Sequence, residues 1–290
     1  MKFYSPLRYP GGKSKLLPLV KFMMDKAQRS CTTYIEPFAG GAGIALSLLM
    51  EEAVEKIVIN DSDKAVYSVW RAIKNEPLRL IKLLFETPIN INEWQKQQYI
   101  YNNSYQYSVN LAFATLFLNR VNRSGIITGG PIGGLNQEGK WKLGARFNKE
   151  AIAERINDIS KKRSAILVYN QDVIQLIDNY LPWFEGQAFI YFDPPYCNKS
   201  KRLYKNMLSP EDHANLAERI TGKADCPWII TYDDVPEIRD LYCGLEIRRF
   251  DLNYSAASKV KASEIIIAGK LTAFPSGSDI LAPLFNIRPL

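Results

Sequence analysis

The sequence predicts an α/β protein built on a doubly wound, mostly parallel sheet, and three observations carry that prediction. Buried-strand patterns alternate with helical ones, a glycine-rich turn joins the first clear strand to a helix, and polar loops stand directly after strand patterns. With 290 residues and 47% apolar content, the chain can bury one large core and still carry an insertion.

Thr33 to Glu36 reads as a short strand that breaks into the turn Ala39-Gly40-Gly41-Ala42-Gly43. A helical pattern follows through Ile44, Leu48, Leu49 and Ala53, and Lys56 to Ile59 is a second buried strand ending at Asn60-Asp61. From about Pro77 to Lys162 the pattern changes to polar, tyrosine-rich helices, an apolar helix around Leu111 to Leu118 and a glycine-rich stretch from Gly125 to Gly144. This segment, 77–162, is expected as an insertion dividing a main domain of residues 1–76 and 163–290. Strand patterns resume at Ala165 to Tyr169, Ala188 to Phe192, Trp228 to Thr231, Leu245 to Phe250 and Glu264 to Ala268. Between them a helix begins where Ser209 caps, Pro210 takes the first position and Asp212 completes a capping box. The last two strands flank a basic, small-residue loop, which predicts a hairpin and an antiparallel edge.

Composition removes several classes. The longest apolar runs, Leu111 to Leu118 and Ala188 to Phe192, fall far short of the roughly 20 residues of a membrane span. The start, MKFYSPLRYPGGK, lacks a secretory apolar stretch. A soluble, cytoplasmic protein without a membrane partner is expected. Cys31, Cys197, Cys226 and Cys243 are scattered and form no CxxC pair, so neither a disulfide framework nor a zinc cluster is indicated. The single histidine, His213, reads as an ordinary helix residue and argues against a histidine-rich metal site. Net charge is +7, but its distribution is uneven: Lys140 to Arg163 holds eight basic and three acidic residues, and Lys199 to Lys205 four basic and none acidic. The rest of the chain is slightly acidic, so the positive field sits where a polyanion can be held.

Three candidate sites lie where open α/β sheets place ligands, at strand ends. The glycine turn opening a helix, with Asp61 about 20 residues on to accept from ribose hydroxyls, suits an adenosine-containing cofactor. NAD and S-adenosylmethionine both fit it, although Gly41-Ala42-Gly43 lacks the third glycine of the dinucleotide fingerprint. Pro10-Gly11-Gly12-Lys13-Ser14 ends like a Walker A loop, but Leu7 stands where that loop needs glycine, which disfavours nucleotide hydrolysis and leaves Lys13 to meet a carboxylate. The third site is decisive. Ile190-Tyr191-Phe192 runs into Asp193-Pro194-Pro195-Tyr196, an aspartate followed by a loop that two prolines make rigid, with carbonyls free to accept. Asp193 and the Pro194 carbonyl match the two N–H donors of an exocyclic amine, and the Tyr196 ring offers a stacking platform for a planar base.

With these motifs in this order, the sequence resembles the Dam-type (D12 class) family of site-specific DNA adenine N6-methyltransferases over nearly its whole length. The resemblance implies a Rossmann-like sheet of the class I S-adenosylmethionine-dependent methyltransferases and an inserted, mainly helical DNA target-recognition domain at 77–162. It implies S-adenosylmethionine as cofactor, met by Tyr9, Lys13, Glu36, Phe38, Ala39, Gly40, Gly41, Asp61 and Asp172, with Asp193 beside it. Tyr9 stands where some members carry tryptophan. Asp193, Pro194, Pro195 and Tyr196 are the family's catalytic tetrapeptide without change, acting on an adenine flipped out of duplex DNA. Phe117-Leu118-Asn119-Arg120 and Asn122-Arg123-Ser124-Gly125 resemble a segment of the recognition domain. Asn119, Arg120, Asn122, Arg123, Lys140, Lys142, Arg146, Lys199, Lys201 and Arg202 are therefore the expected DNA contacts. A cognate restriction endonuclease is the functional partner the resemblance suggests, not necessarily in physical contact. Cytosine C5 methylation is disfavoured because no cysteine follows a proline here, and protein-glutamine enzymes carry asparagine first in the tetrapeptide.

Overall fold

Five short, largely apolar segments, each flanked by turns, form the parallel part of one sheet: β1 (Thr33–Glu36), β2 (Lys56–Asn60), β3 (Ile166–Tyr169), β4 (Ala188–Phe192) and β5 (Trp228–Asp233). The strands β6 (Glu246–Leu252), β7 (Ala262–Ala268) and the two-residue β8 (Arg288–Pro289) complete it in the order β3-β2-β1-β4-β5-β7-β6-β8. These assignments come from a computed structural model that describes residues 3–8, 13–28, 30–196, 208–223, 225–252, 262–275 and 285–289.

β7 runs antiparallel to both β5 and β6, so the expected hairpin and antiparallel edge are present. The short β8 was not foreseen; two residues carry too little periodicity to read. β1 and β4 are adjacent, with Ile35 opposite Ile190, while the chain leaves β1 toward β2 and β3 and leaves β4 toward β5. The strand order therefore reverses between β1 and β4, and a crevice at such a reversal is where open sheets bind ligands. Glu36 ends one of these strands and Asp193 follows the other.

Alternation along each strand divides the core in two. Tyr34, Ile57, Ile59, Phe189 and Tyr191 face a cluster with α1 (Leu17–Asp25), α2 (Gly43–Met50) and α3 (Lys64–Asn75), whereas Ile35, Val58, Ile190 and Phe192 face α8 (Val173–Asn179), α9 (Pro210–Lys223) and α10 (Pro236–Leu241). α2 stops at Met50 rather than reaching Ala53, because Glu52 adopts a left-handed φ of 54° that a helix does not accommodate. The capping box of α9 is formed: Ser209 N donates to Asp212 Oδ2 at 2.8 Å, and Asp212 N to Ser209 Oγ at 3.1 Å. His213 lies buried in that helix with Nδ1 3.0 Å from the Tyr232 hydroxyl.

The segment between β2 and β3 is helical, as expected: α4 (Pro77–Glu86), α5 (Ile91–Asn103), α6 (Val109–Val121) and α7 (Lys149–Lys161). α6 is apolar all round, with Leu111, Phe113, Leu116, Phe117 and Leu118 buried, and such a helix must be surrounded. It packs on α3 and α5, so this segment shares a continuous hydrophobic core with the sheet face covered by α1 to α3.

Asn119 and Asn122 were expected to touch DNA, and the structure gives them a different role. Both are buried. The Asn119 amide accepts from Arg8 N at 2.7 Å and donates to the carbonyls of Arg8 and Gly125 at 2.7 and 2.8 Å. Asn122 accepts from Trp94 Nε1 at 2.7 Å and donates to the carbonyls of Ile126 and Ile127. They tie the N-terminal segment and the 125–127 turn to α6, as buried amides must when no water is available to satisfy them. Among the described residues no helix is long and apolar enough to cross a membrane.

Candidate active site

The first half of the site is built on the glycine turn. Gly40 takes a φ of 45°, and Gly43 opens α2 where an added Cβ would meet the Ser14 hydroxyl, so the 13–16 segment crosses close against the turn. Ala39 N donates to the Asn60 carbonyl at 2.9 Å, and the Gly40 carbonyl accepts from Trp70 Nε1 at 2.9 Å. The buried Asn60 side chain ties this turn to the β3 exit: it donates to the carbonyls of Pro37 and Gln171 and accepts from Gln171 N. Glu36 is buried and accepts from Ala45 N at 3.0 Å, fixing the start of α2; burial pushes its carboxyl up to about 8 against that hydrogen bond.

Asp61 follows β2 and holds its carboxylate over the turn. Oδ2 accepts from Gly40 N and Oδ1 from Asp63 N, each at 2.9 Å, which leaves both oxygens able to accept again. Burial raises this carboxyl to about 7. Asp172 caps α8, its Oδ1 accepting from Ile174 N at 2.8 Å, and its side chain is exposed at the rim. Phe38 lies half-buried, packed against the second core. The donor set fits an adenosine-bearing amino acid such as S-adenosylmethionine: paired acceptor oxygens beside a side-chain-free turn, and a lysine near the catalytic loop.

The other half gathers around Lys13. Its ammonium is buried, 2.5 Å from Glu264 Oε2 and 3.9 Å from Asp193 Oδ1, and also hydrogen-bonds the Tyr196 hydroxyl. That hydroxyl donates to Glu264 Oε2 at 2.9 Å, and the ammonium lies 4.8 Å from the centre of the Tyr196 ring. Thr231, on β5, donates to Asp193 Oδ1 at 2.9 Å while its oxygen pairs with the Tyr191 hydroxyl. Burial raises the Asp193 carboxyl to about 6; Lys13 opposes that rise and Glu264 adds to it. Pro194 is buried and Pro195 partly so, which fixes the loop between Asp193 and Tyr196.

The D12 class N6 adenine-specific DNA methyltransferase family model matches residues 9–255. The chain belongs to this family. It is 24% identical over 206 residues to the type II methyltransferase M.MjaIII of Methanocaldococcus jannaschii, covering 66% of this chain and 68% of the relative. It is also 27% identical over 270 residues to the type II methyltransferase M1.LlaDCHI of Lactococcus lactis subsp. cremoris, with 89% and 82% covered. The rRNA methyltransferase aviRa from Streptomyces viridochromogenes aligns at a TM-score of 0.39 and 11% identity, over 90% of this chain and 86% of that one.

In this D12 class methyltransferase the glycine turn with Asp61 and the Asp193 loop both open at the C-terminal ends of the parallel strands. Arg123, Lys140, Lys142 and Arg146 are exposed, and Arg120 is partly buried at the end of α6. Tyr9, Lys199, Lys201 and Arg202 lie outside the described residues. Glu264 and Thr231 were missed from sequence. Glu264 had a signal: a lone carboxylate opening the buried run Ile265 to Ala268 demands a cationic partner. Thr231 had none, since a threonine in a strand is ordinary.

In the catalytic role expected of Asp193 the ionised form supplies the negative charge and two acceptor oxygens, and burial raises its pKa above the usual carboxylate range, so that form is lost as pH falls through about 6. Single-turnover methylation is expected to be level above that pH and to drop about tenfold per unit below it. A rate unchanged down to pH 4.5 in folded protein contradicts this assignment.

Proposed function

We propose that this DNA adenine N6-methyltransferase works through Asp193, the Pro194 carbonyl and Tyr196 on an adenine turned out of duplex DNA. The observation that carries the reading is the Asp193 carboxylate, held through Oδ1 by Thr231 and Lys13 on a proline-fixed loop at the strand-order reversal. S-adenosylmethionine, the methyl donor of this chemistry, supplies an electrophilic methyl on a sulfonium. The chain's residues do the rest. Asp61 accepts from the ribose hydroxyls, Glu36, Phe38 and Ala39 to Gly41 shape the adjoining wall, and Asp172 borders the adenine end. Lys13 balances the carboxylate of the methionine moiety.

The amine of adenine is a weak nucleophile because its lone pair is delocalised into the ring. Donating its two hydrogens to Asp193 and the Pro194 carbonyl localises that pair on nitrogen, and the Asp193 charge stabilises the positive charge that grows as nitrogen bonds the methyl. The proton then released from nitrogen passes to the Asp193 carboxylate and on to water. Tyr196 replaces the stacking lost when the base leaves the duplex. Its hydroxyl is anchored by Lys13 and Glu264, so the ring is fixed before the base arrives.

Target recognition belongs to segment 77–162 in this reading, supported by its exposed cations and by Trp141, exposed between Lys140 and Lys142. A cytoplasmic location, where DNA is available, is part of the same reading. So is a functional pairing with a restriction endonuclease, supported by relatives named type II methyltransferases and a modification methylase.

Nucleoside mass spectrometry of duplex DNA incubated with enzyme and S-adenosylmethionine is expected to yield N6-methyladenine, and Asp193→Ala to lower turnover at least about 100-fold, the scale for removing one transition-state hydrogen-bond partner. N4-methylcytosine as main product, or near-normal turnover in the variant, overturns the reading. Asp61→Ala is expected to weaken cofactor binding by about 1.5–3 kcal/mol, as calorimetric titration measures, with the methyl-transfer step less affected. An unchanged dissociation constant removes Asp61 from the ribose.

A further inference from the structure

Four arginines converge where the N-terminal segment crosses the inserted helices. Arg8 ends the described 3–8 segment, Arg120 lies in the last turn of α6, Arg146 closes the short 143–146 turn, and Arg155 lies within α7. Two of the four guanidinium groups, those of Arg120 and Arg155, are held by carbonyls, which satisfy hydrogen bonds and neutralise no charge. Arg120 Nε donates to the Arg146 carbonyl at 2.8 Å and its Nη1 to the Pro6 carbonyl at 3.4 Å, while Arg155 Nη1 donates to the Ser5 carbonyl at 3.0 Å. Both main-chain groups of Arg8 are fixed by Asn119. Several other arginines find carboxylates: Arg219 meets Asp178, Arg239 and Arg249 share Asp234, and Arg248 meets Glu246. Among the described residues none of the four clustered arginines has an acidic partner, and Arg8 Nη1 is buried without any hydrogen-bond partner.

Their mutual field is strong. Burial, then the charges of Arg8, Arg155 and Arg146, pull the Arg120 guanidinium down to about 10, and burial with Arg146 lowers that of Arg8. Crowded, partly desolvated like charges cost stability unless an anion joins them, and guanidinium forks match phosphate oxygens in pairs.

We propose that Arg8 and Arg155 join Arg120 and Arg146, two of the DNA contacts the family resemblance implies, in a clamp for backbone phosphodiesters of the DNA strand beside the target adenine. The clamp rests on the proposed function in taking DNA as the polyanion. Arg8 stands five residues before Lys13, a chain reach of at most roughly 18 Å, so the clamped phosphates lie within a few nucleotides of the catalytic loop. A contact of this kind fixes register without reading sequence.

The test compares the wild-type enzyme, Arg146→Gln, Arg155→Gln and Arg155→Lys. The Arg146 side chain makes no hydrogen bond or ion pair among the described residues, so its removal leaves the fold intact. Affinity for duplexes of unrelated sequence is measured over a series of salt concentrations. Both glutamine variants are expected to bind about 5–20-fold more weakly on every duplex, with the slope of log affinity against log salt smaller by about 0.9 per lost phosphate contact. Arg155→Lys keeps most of the slope. Folded glutamine variants with unchanged affinity and slope overturn the clamp. So does stabilisation of the wild type by inorganic phosphate that the variants lose while the DNA slope stays the same, which marks a site for a free anion. A wild-type enzyme that neither binds nor methylates duplex DNA instead refutes the proposed function, and is read separately from the variants.

Discussion

A buried ammonium organises the catalytic face of this protein. Lys13 is almost fully withdrawn from water, and taking one charge out of water costs several kcal/mol unless partners replace the lost hydration. Its partners come from separate parts of the chain: Glu264 from β7, and Asp193 and Tyr196 from the loop after β4. The cation therefore binds the start of the chain to both the central strands and the antiparallel edge. Ser14, next to it, has its hydroxyl close against Gly43, so the same crossing brings the 13–16 segment up to the glycine turn.

Carboxylates outnumber cations in this crevice, and that imbalance sets their chemistry. Glu36, Asp193 and Glu264 feel one another, and burial raises Glu36 and Asp193 toward neutrality. Glu36 orients the start of α2 by accepting from Ala45 N, a hydrogen bond that opposes the rise. In the proposed mechanism Asp193 must stay charged to stabilise the growing positive charge, and Lys13 with the Thr231 hydroxyl is what favours its ionised form. The antiparallel β6–β7 hairpin thus contributes to the site as well as to the sheet, because it brings Glu264 level with Asp233 at the end of β5.

Most of the sheet was legible because its strands are short, apolar and bounded by turn residues, and because the glycine turn and Asp193 follow strands directly. The capping box at Ser209 and Asp212 was legible for the same local reason. Contacts made across long sequence separations were not. Asn119 and Asn122 belong to a segment that resembles a recognition motif, yet burial in α6 turns their amides inward onto backbone. The charge of Lys140 to Arg163 marked a basic region, but the convergence of Arg146 and Arg155 with Arg8 and Arg120 depends on tertiary packing that no spacing rule encodes. Segment 77–162 reads as an insertion because composition changes there, and the packing of α6 on α3 in one core is a tertiary contact that composition does not show.

The most direct test of this account is a double-mutant cycle on Lys13 and Glu264, read by urea unfolding. Lys13→Met and Glu264→Gln alone are each expected to cost about 3 kcal/mol or more, since each leaves its partner buried with an uncompensated or weakened ion pair. The double variant is expected to cost less than the sum of the two by at least about 1 kcal/mol. Additive losses would mean that the two charges do not sense each other, and the buried ammonium could not then be what holds the catalytic face together.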